Sequence, residues 1–109
     1  NLAARPMEML LLGTGGCSIY DVLTMLKKSR QQVVDCRVEL DAQRADAVPA
    51  VFTQINMHFV VIGVGLKESH VKRAVELSAE KYCSASIMLG AAGVEITHSY
   101  EIVEFAPVV

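Results

Sequence analysis

An α+β fold is predicted for this chain: two helices packed on an antiparallel sheet, in the order helix, strand, strand, helix, strand. Three observations predict it. Two stretches repeat apolar residues at spacings of three and four. Three others alternate apolar with polar residues, and Pro49, Gly63 and Gly65 punctuate the boundaries between them.

The first helix is expected from Met7 to about Ser29, with Pro6 at or just before its first turn, where proline's missing N–H costs nothing. Leu12, Gly15, Gly16, Ile19, Leu23 and Leu26 fall on one stripe, with Val22 beside it. Lys27, Lys28 and Arg30 crowd its end, favoured by the negative pole of the helix dipole. From Val34 the period becomes two. Val34, Cys36, Val38 and Leu40 alternate with Asp35, Arg37, Glu39 and Asp41, the pattern of a half-buried strand. After a turn closed by Pro49, Thr53, Ile55, Met57, Phe59 and Val61 point one way and Gln54, Asn56 and His58 the other, pairing with the preceding strand as a hairpin. A second helix is expected from Glu68 to about Gly90, with Val71, Val75, Ser78, Tyr82, Ala85 and Leu89 on one stripe. Ala79, Cys83, Ser86 and Gly90 form its small-residue edge. The last strand sets Val94, Ile96, His98, Tyr100 and Ile102 against Glu95, Thr97, Ser99 and Glu101.

Gly13, Gly15 and Gly16 are costly inside a helix, about 1 kcal/mol each relative to alanine. Close crossing of the two helices is the expected reason, because a residue without Cβ permits near approach of backbones. The same crossing would carry Cys17 and Cys83 toward each other.

The chain has 109 residues, suited to one domain spanning 1–109. It is 52% hydrophobic and 20% charged, more apolar than so small a domain can hide within itself. A subunit interface is therefore expected, most simply that of a twofold homodimer. The net charge of −2 and the lack of a basic run argue against nucleic acid as a partner. Polar residues interrupt the longest uncharged stretch, Ala47 to Leu66, and the next candidates are short, so no membrane span is expected. Three cysteines without a short-spaced framework do not form a secreted disulfide scaffold, which points to a reducing, cytoplasmic compartment.

Cys17 shares a comparatively polar face with Leu10, Thr14, Asp21 and Thr24, open to either a packing or a redox role. A reactive thiolate needs a positive field, and Asp21 opposes it. Cys83 becomes the N-terminus of a new helix if the chain breaks near Tyr82, and is an ordinary edge residue otherwise. Cys36, between Val34 and Val38, reads as core. A set of three thiols with His98 or His58 lacks the short ligand pairs typical of zinc, so no metal and no cofactor is expected. His98 reads as a core or interface histidine, and His58 and His70 as exposed. "GTGGC" lies inside a helix and is followed by no P-loop lysine; Ser18 lacks the glycines of a nucleophile elbow.

"RPMEMLLLGTGGCSIYDVLTMLKKSRQQV", "VELSAEKYCSASIML" and "THSYEIV" together resemble the OsmC/Ohr family of bacterial proteins, over nearly the whole chain from Pro6 to Val103. The resemblance implies an intertwined homodimer with active sites at the subunit interface, and a thiol peroxidase acting on organic hydroperoxides. By position, Cys17 would attack the peroxide and become a sulfenic acid. Cys83 would resolve it to a disulfide, which a cellular dithiol reduces. Met7 stands where active members of the family place a glutamate that orients an activating arginine, and the family fold has an N-terminal part that this chain is expected to lack. The competing expectation is a dimeric binding module with an apolar interfacial pocket for a small or lipid-like molecule.

Overall fold

The computed structural model describes residues 5–106; the ends of the expected 1–109 domain lie outside them. Pro6 opens helix α1 (Pro6–Lys28). The Glu8 carboxylate accepts a hydrogen bond from the Arg5 N–H at 3.4 Å, one of the donors that a helix start leaves unpaired. Thr14, Gly15, Ser18, Val22 and Leu26 are buried, whereas Leu12 is 60% exposed and Leu23 37%. The buried stripe therefore runs about one residue off the expected one, because two small hydroxyl residues take the inward places. A Cβ on Gly15 would fall 2.8 Å from Leu40 Cδ1 and 3.1 Å from Val38 Cγ1, while one on Gly13 or Gly16 would meet nothing within 4 Å among the described residues. Gly15 thus lets α1 settle onto a strand. The expectation that the three glycines serve a helix–helix crossing is corrected.

Strand β1 (Gln32–Arg44) and strand β2 (Phe52–Val64) form the expected antiparallel hairpin, with Val38 opposite Phe59 and Cys36 opposite Val61. Two irregularities shift the faces near its ends. Between Val33 and Asp35 the register slips, so Val33 packs on the core and Val34 is exposed. Between Gln43 and Arg44 it slips again, and Phe52 is buried where Thr53 was expected. Strand β3 (Glu95–Glu104) follows the second helical segment and lies beside β2, giving the order β1-β2-β3. Its pairing with β2 is parallel, with Ile55 beside Ile96 and Met57 beside His98. The sheet is therefore mixed, not wholly antiparallel. The helical connection carries the chain back over the sheet before β3, and such a crossover returns a strand in the same direction. On the sheet face away from the helices, His58 bridges Ser99 at 2.7 Å and Glu101 at 3.0 Å.

The second helical region is broken. Helix α2 (Glu68–Leu77) buries Val71, Ala74 and Val75. A π-helical turn, Ser78–Tyr82, follows, closed by the Cys83 N–H donating to the Ser78 carbonyl at 2.8 Å. Cys83 is extended (φ −76°, ψ 99°) and opens helix α3 (Ser84–Ala91). Gly93, at φ 100°, turns the chain from α3 into β3 in a conformation that side-chain-bearing residues rarely adopt. Beyond the break the buried positions are Cys83 and Ser86, and Tyr82 is 50% exposed. The continuous helix from Glu68 to Gly90 is corrected accordingly.

The core lies between sheet and helices: Ile55, Met57, Phe59 and Val61 from β2 meet Val22 and Leu26 of α1 and Val71 and Val75 of α2. By length and mean hydropathy α1 falls within the range of a membrane span. Its inward face carries Ser18 against Met57 of β2 and against Cys83.

Candidate active site

Two breaks in regularity build the site. The α1 phase that turns Ser18 inward places Cys17 and Asp21, one turn apart, along the edge of the buried stripe. The π turn and the extended Cys83 then aim a second sulfur at that edge. Cys17 Sγ, Cys83 Sγ and a carboxylate oxygen of Asp21 all lie within 4.8 Å of one another. The close approach of the two helical segments, expected from the sequence, is made by serines and cysteine. Ser18 Oγ donates to Cys83 Sγ at 3.2 Å, and Ser78 Oγ donates to the Ser18 carbonyl at 3.4 Å.

Cys83 is fully buried and unusually well solvated by the protein. Besides Ser18, Ser86 Oγ donates to its sulfur at 3.2 Å, and the Thr14 carbonyl lies 3.9 Å away. Burial alone would raise this thiol. Hydrogen bonds from Ser18, from the Ser86 hydroxyl and N–H, and from Cys17 outweigh it, and Cys83 is held below the ordinary thiol range. Cys17 is partly exposed and shifts the other way. Burial raises it, the Ala85 N–H at the start of α3 lowers it in part, and Cys83 and Asp21 add to the rise. In the reduced pair the two shifts run in opposite directions, so Cys83 gives up its proton more readily than Cys17.

Asp21 is raised by burial, with the Ser78 hydroxyl pulling it part of the way back. Its Oδ2 is buried and, among the described residues, accepts no hydrogen bond. Asp21 also lines a cleft of about 340 Å³ together with Met25, Leu77 and Tyr82, the cations Lys28 and Arg73, and His70.

These features can be set beside known proteins. A family model described as "OsmC-like protein" matches residues 1–99. The protein YhfA of Escherichia coli K12 is 56% identical over 101 residues, covering 93% of this chain and 75% of that protein. The chain belongs to the OsmC-like family. The crystal structure of a hypothetical protein from Aquifex aeolicus VF5 is 33% identical, with a TM-score of 0.89 over 97% of this chain and 79% of that one. An organic hydroperoxide resistance protein OsmC from Legionella pneumophila shares the fold at 15% identity, with a TM-score of 0.72 over 93% of this chain and 72% of that one.

In this OsmC-like chain the third cysteine stands apart. Cys36 packs against the core from β1, as expected, and burial with help from Asp35 pushes its thiol up to about 11. The donors that come together among the described residues are Cys17, Asp21 and Cys83, and not the set of three thiols with a histidine that the sequence argued against. Ser18 and Ser86 were missed as partners of the sulfur. The available signal was weak: hydroxyl residues at helical positions otherwise suited to apolar packing, one of them adjacent to Cys17.

Proposed function

We propose that this OsmC-like protein reduces organic hydroperoxides through Cys17 and Cys83. The observation that carries the reading is the proximity of a partly exposed thiol and a buried, hydrogen-bonded sulfur from two segments far apart in sequence. Cys83, as thiolate, takes the proton of Cys17. The Cys17 sulfur attacks the outer peroxide oxygen, breaking the O–O bond, and becomes a sulfenic acid. The leaving alkoxide recovers the proton from Cys83 and departs as alcohol. Cys83 thiolate then attacks the sulfenic sulfur and expels hydroxide, leaving a disulfide for a dithiol to reduce. The sulfurs must close to about 2 Å for this bond. Movement of Cys83, which ends a π turn and is not itself inside a helix, supplies that approach.

A second copy of the chain belongs to the same proposal. Met9, Leu12, Tyr20 and Leu23 of α1 and Ile87 and Met88 of α3 are exposed, a continuous reason for two helical faces to meet as a homodimer. The test is alkyl hydroperoxide consumption with a dithiol, alongside thiol counts before and after one equivalent of peroxide. Loss of two thiols per chain, abolished in Cys17→Ser and in Cys83→Ser but not in Cys36→Ser, is expected; full retention of the thiols refutes the redox reading. The cleft beside Asp21, apolar-walled with a cationic rim, favours a second reading as a binding module for a small molecule with an anionic end. Native mass spectrometry of freshly purified protein checks it.

A further inference from the structure

The three donors that converge at the junction of α1 and α3 form a set that the redox cycle does not fully use. The cycle needs two sulfurs; it assigns nothing to Asp21. Yet a carboxylate oxygen of Asp21 stands within 4.8 Å of both sulfurs, and its Oδ2 is buried without a hydrogen-bond donor. Among the described residues Asp21 makes no ion pair with lysine, arginine or histidine. Two sulfurs and a carboxylate facing one another around a small space call for a cation.

The geometry points to a binding site for a thiophilic divalent cation of the zinc class, held by Cys17 Sγ, Asp21 and Cys83 Sγ with the fourth position open. Zinc takes thiolates at about 2.3 Å and carboxylate oxygens at about 2.0–2.2 Å, so two sulfurs on one tetrahedral ion stand about 3.8 Å apart. A cluster spanning no more than 4.8 Å reaches that geometry by a contraction of about 1 Å or less. Cys17 and Asp21 sit one helical turn apart on α1, a spacing that presents two donors on one face, and Cys83 completes the set from the other segment. Binding holds both sulfurs as thiolates and ties up their lone pairs, so the metal-bound protein is closed to peroxide until the ion leaves. The site rests on the same residues as the proposed redox function but not on that function being correct.

The experiment is anaerobic titration of the reduced, chelator-treated protein with Co²⁺, followed by displacement with Zn²⁺. Expected are one equivalent per chain, a thiolate-to-cobalt charge-transfer band and the visible bands of tetrahedral cobalt, all erased by zinc. Asp21→Asn, which keeps the side-chain volume, should weaken cobalt binding at least about tenfold, and Cys36→Ser should leave it unchanged. Absence of the charge-transfer band in folded wild-type protein overturns the site. So does unchanged affinity in Asp21→Asn, or equal loss in Cys36→Ser. Peroxide turnover is measured separately on the metal-free protein: turnover without cobalt binding sinks only the metal site, and cobalt binding without turnover sinks only the redox reading.

Discussion

Replacing Ser18 by alanine isolates what holds charge on the buried sulfur. Ser18 Oγ donates to Cys83 Sγ at 3.2 Å and lies 3.5 Å from Met57 Sδ, with no exposure to water. Alanine leaves the apolar packing of Met57 in place and removes one hydroxyl volume, so folding should survive. What disappears is a hydrogen bond to a charged acceptor, typically about 1.5–3 kcal/mol. Sulfur is a diffuse acceptor, which favours the lower end, and about 1.5 kcal/mol multiplies the thiol-to-thiolate ratio by roughly 10. In a Cys17→Ser, Cys36→Ser background, where Cys83 is the one remaining thiol, the thiolate absorbance of reduced, chelator-treated protein should titrate at distinctly higher pH once Ser18 is alanine. Alkylation by a small haloacetamide at fixed pH near neutrality should slow by roughly tenfold in the same comparison. An unchanged titration and an unchanged alkylation rate would refute the claim that the Ser18 hydroxyl stabilises the Cys83 thiolate. Ser86→Ala offers an independent repeat of the test, because its hydroxyl donates to the same sulfur at the same distance of 3.2 Å.

Three further expectations follow from other parts of the molecule. Gly15→Ala gains about 1 kcal/mol of helix propensity but overpacks Leu40 and Val38 at a cost of about 1–3 kcal/mol, so urea denaturation should show net loss, whereas Gly13→Ala, facing open space, should gain about 1 kcal/mol. Burial raises the Asp21 carboxyl, so its contribution to stability is present below the ordinary carboxylate range and lost as pH rises through its raised value. Metal-free wild-type protein should accordingly gain on Asp21→Asn as the pH of thermal melts is lowered through that window, and a constant difference would contradict it. Cys36, with its thiol pushed up to about 11, should label at pH 8 roughly 100-fold or more slowly than a free thiol, as peptide mapping after timed alkylation can show.

Period-two alternation located all three strands, and the apolar run located α1, because both signals come from burial on one face of a regular element. What escaped the sequence was phase and direction. The inward face of α1 is lined by Thr14 and Ser18, and a hydrophobicity stripe drawn through Leu12 and Leu23 misses hydroxyls that are buried because they have specific partners. The bulges that expose Val34 and bury Phe52 depend on pairing register, which alternation alone does not encode. Whether β3 runs parallel or antiparallel to β2 depends on where the crossover sets the chain down, a property of the assembled fold. The meeting of Cys17 with Cys83 was legible as a consequence of helix contact. The arrival of Asp21 at the same point was not, since Asp21 read only as an electrostatic obstacle to Cys17.

The Ser78–Tyr82 turn holds one residue more than an α-helical turn would, and each residue of an α-helix advances the chain by about 100° of rotation. The insertion therefore acts as an angular slip between α2 and α3. Val71, Val75 and Ser78 obey one phase, and Cys83 and Ser86 obey another, offset by a single position from the Tyr82 and Ala85 places that an unbroken spiral would fill. Winding these same residues as a regular α-helix, with none deleted, would return Tyr82 to the inward place and swing Cys83 about 100° away from Cys17 without touching any residue of the cluster. The sulfur pair is thus a property of where the helix loses count, as much as of the cysteines themselves.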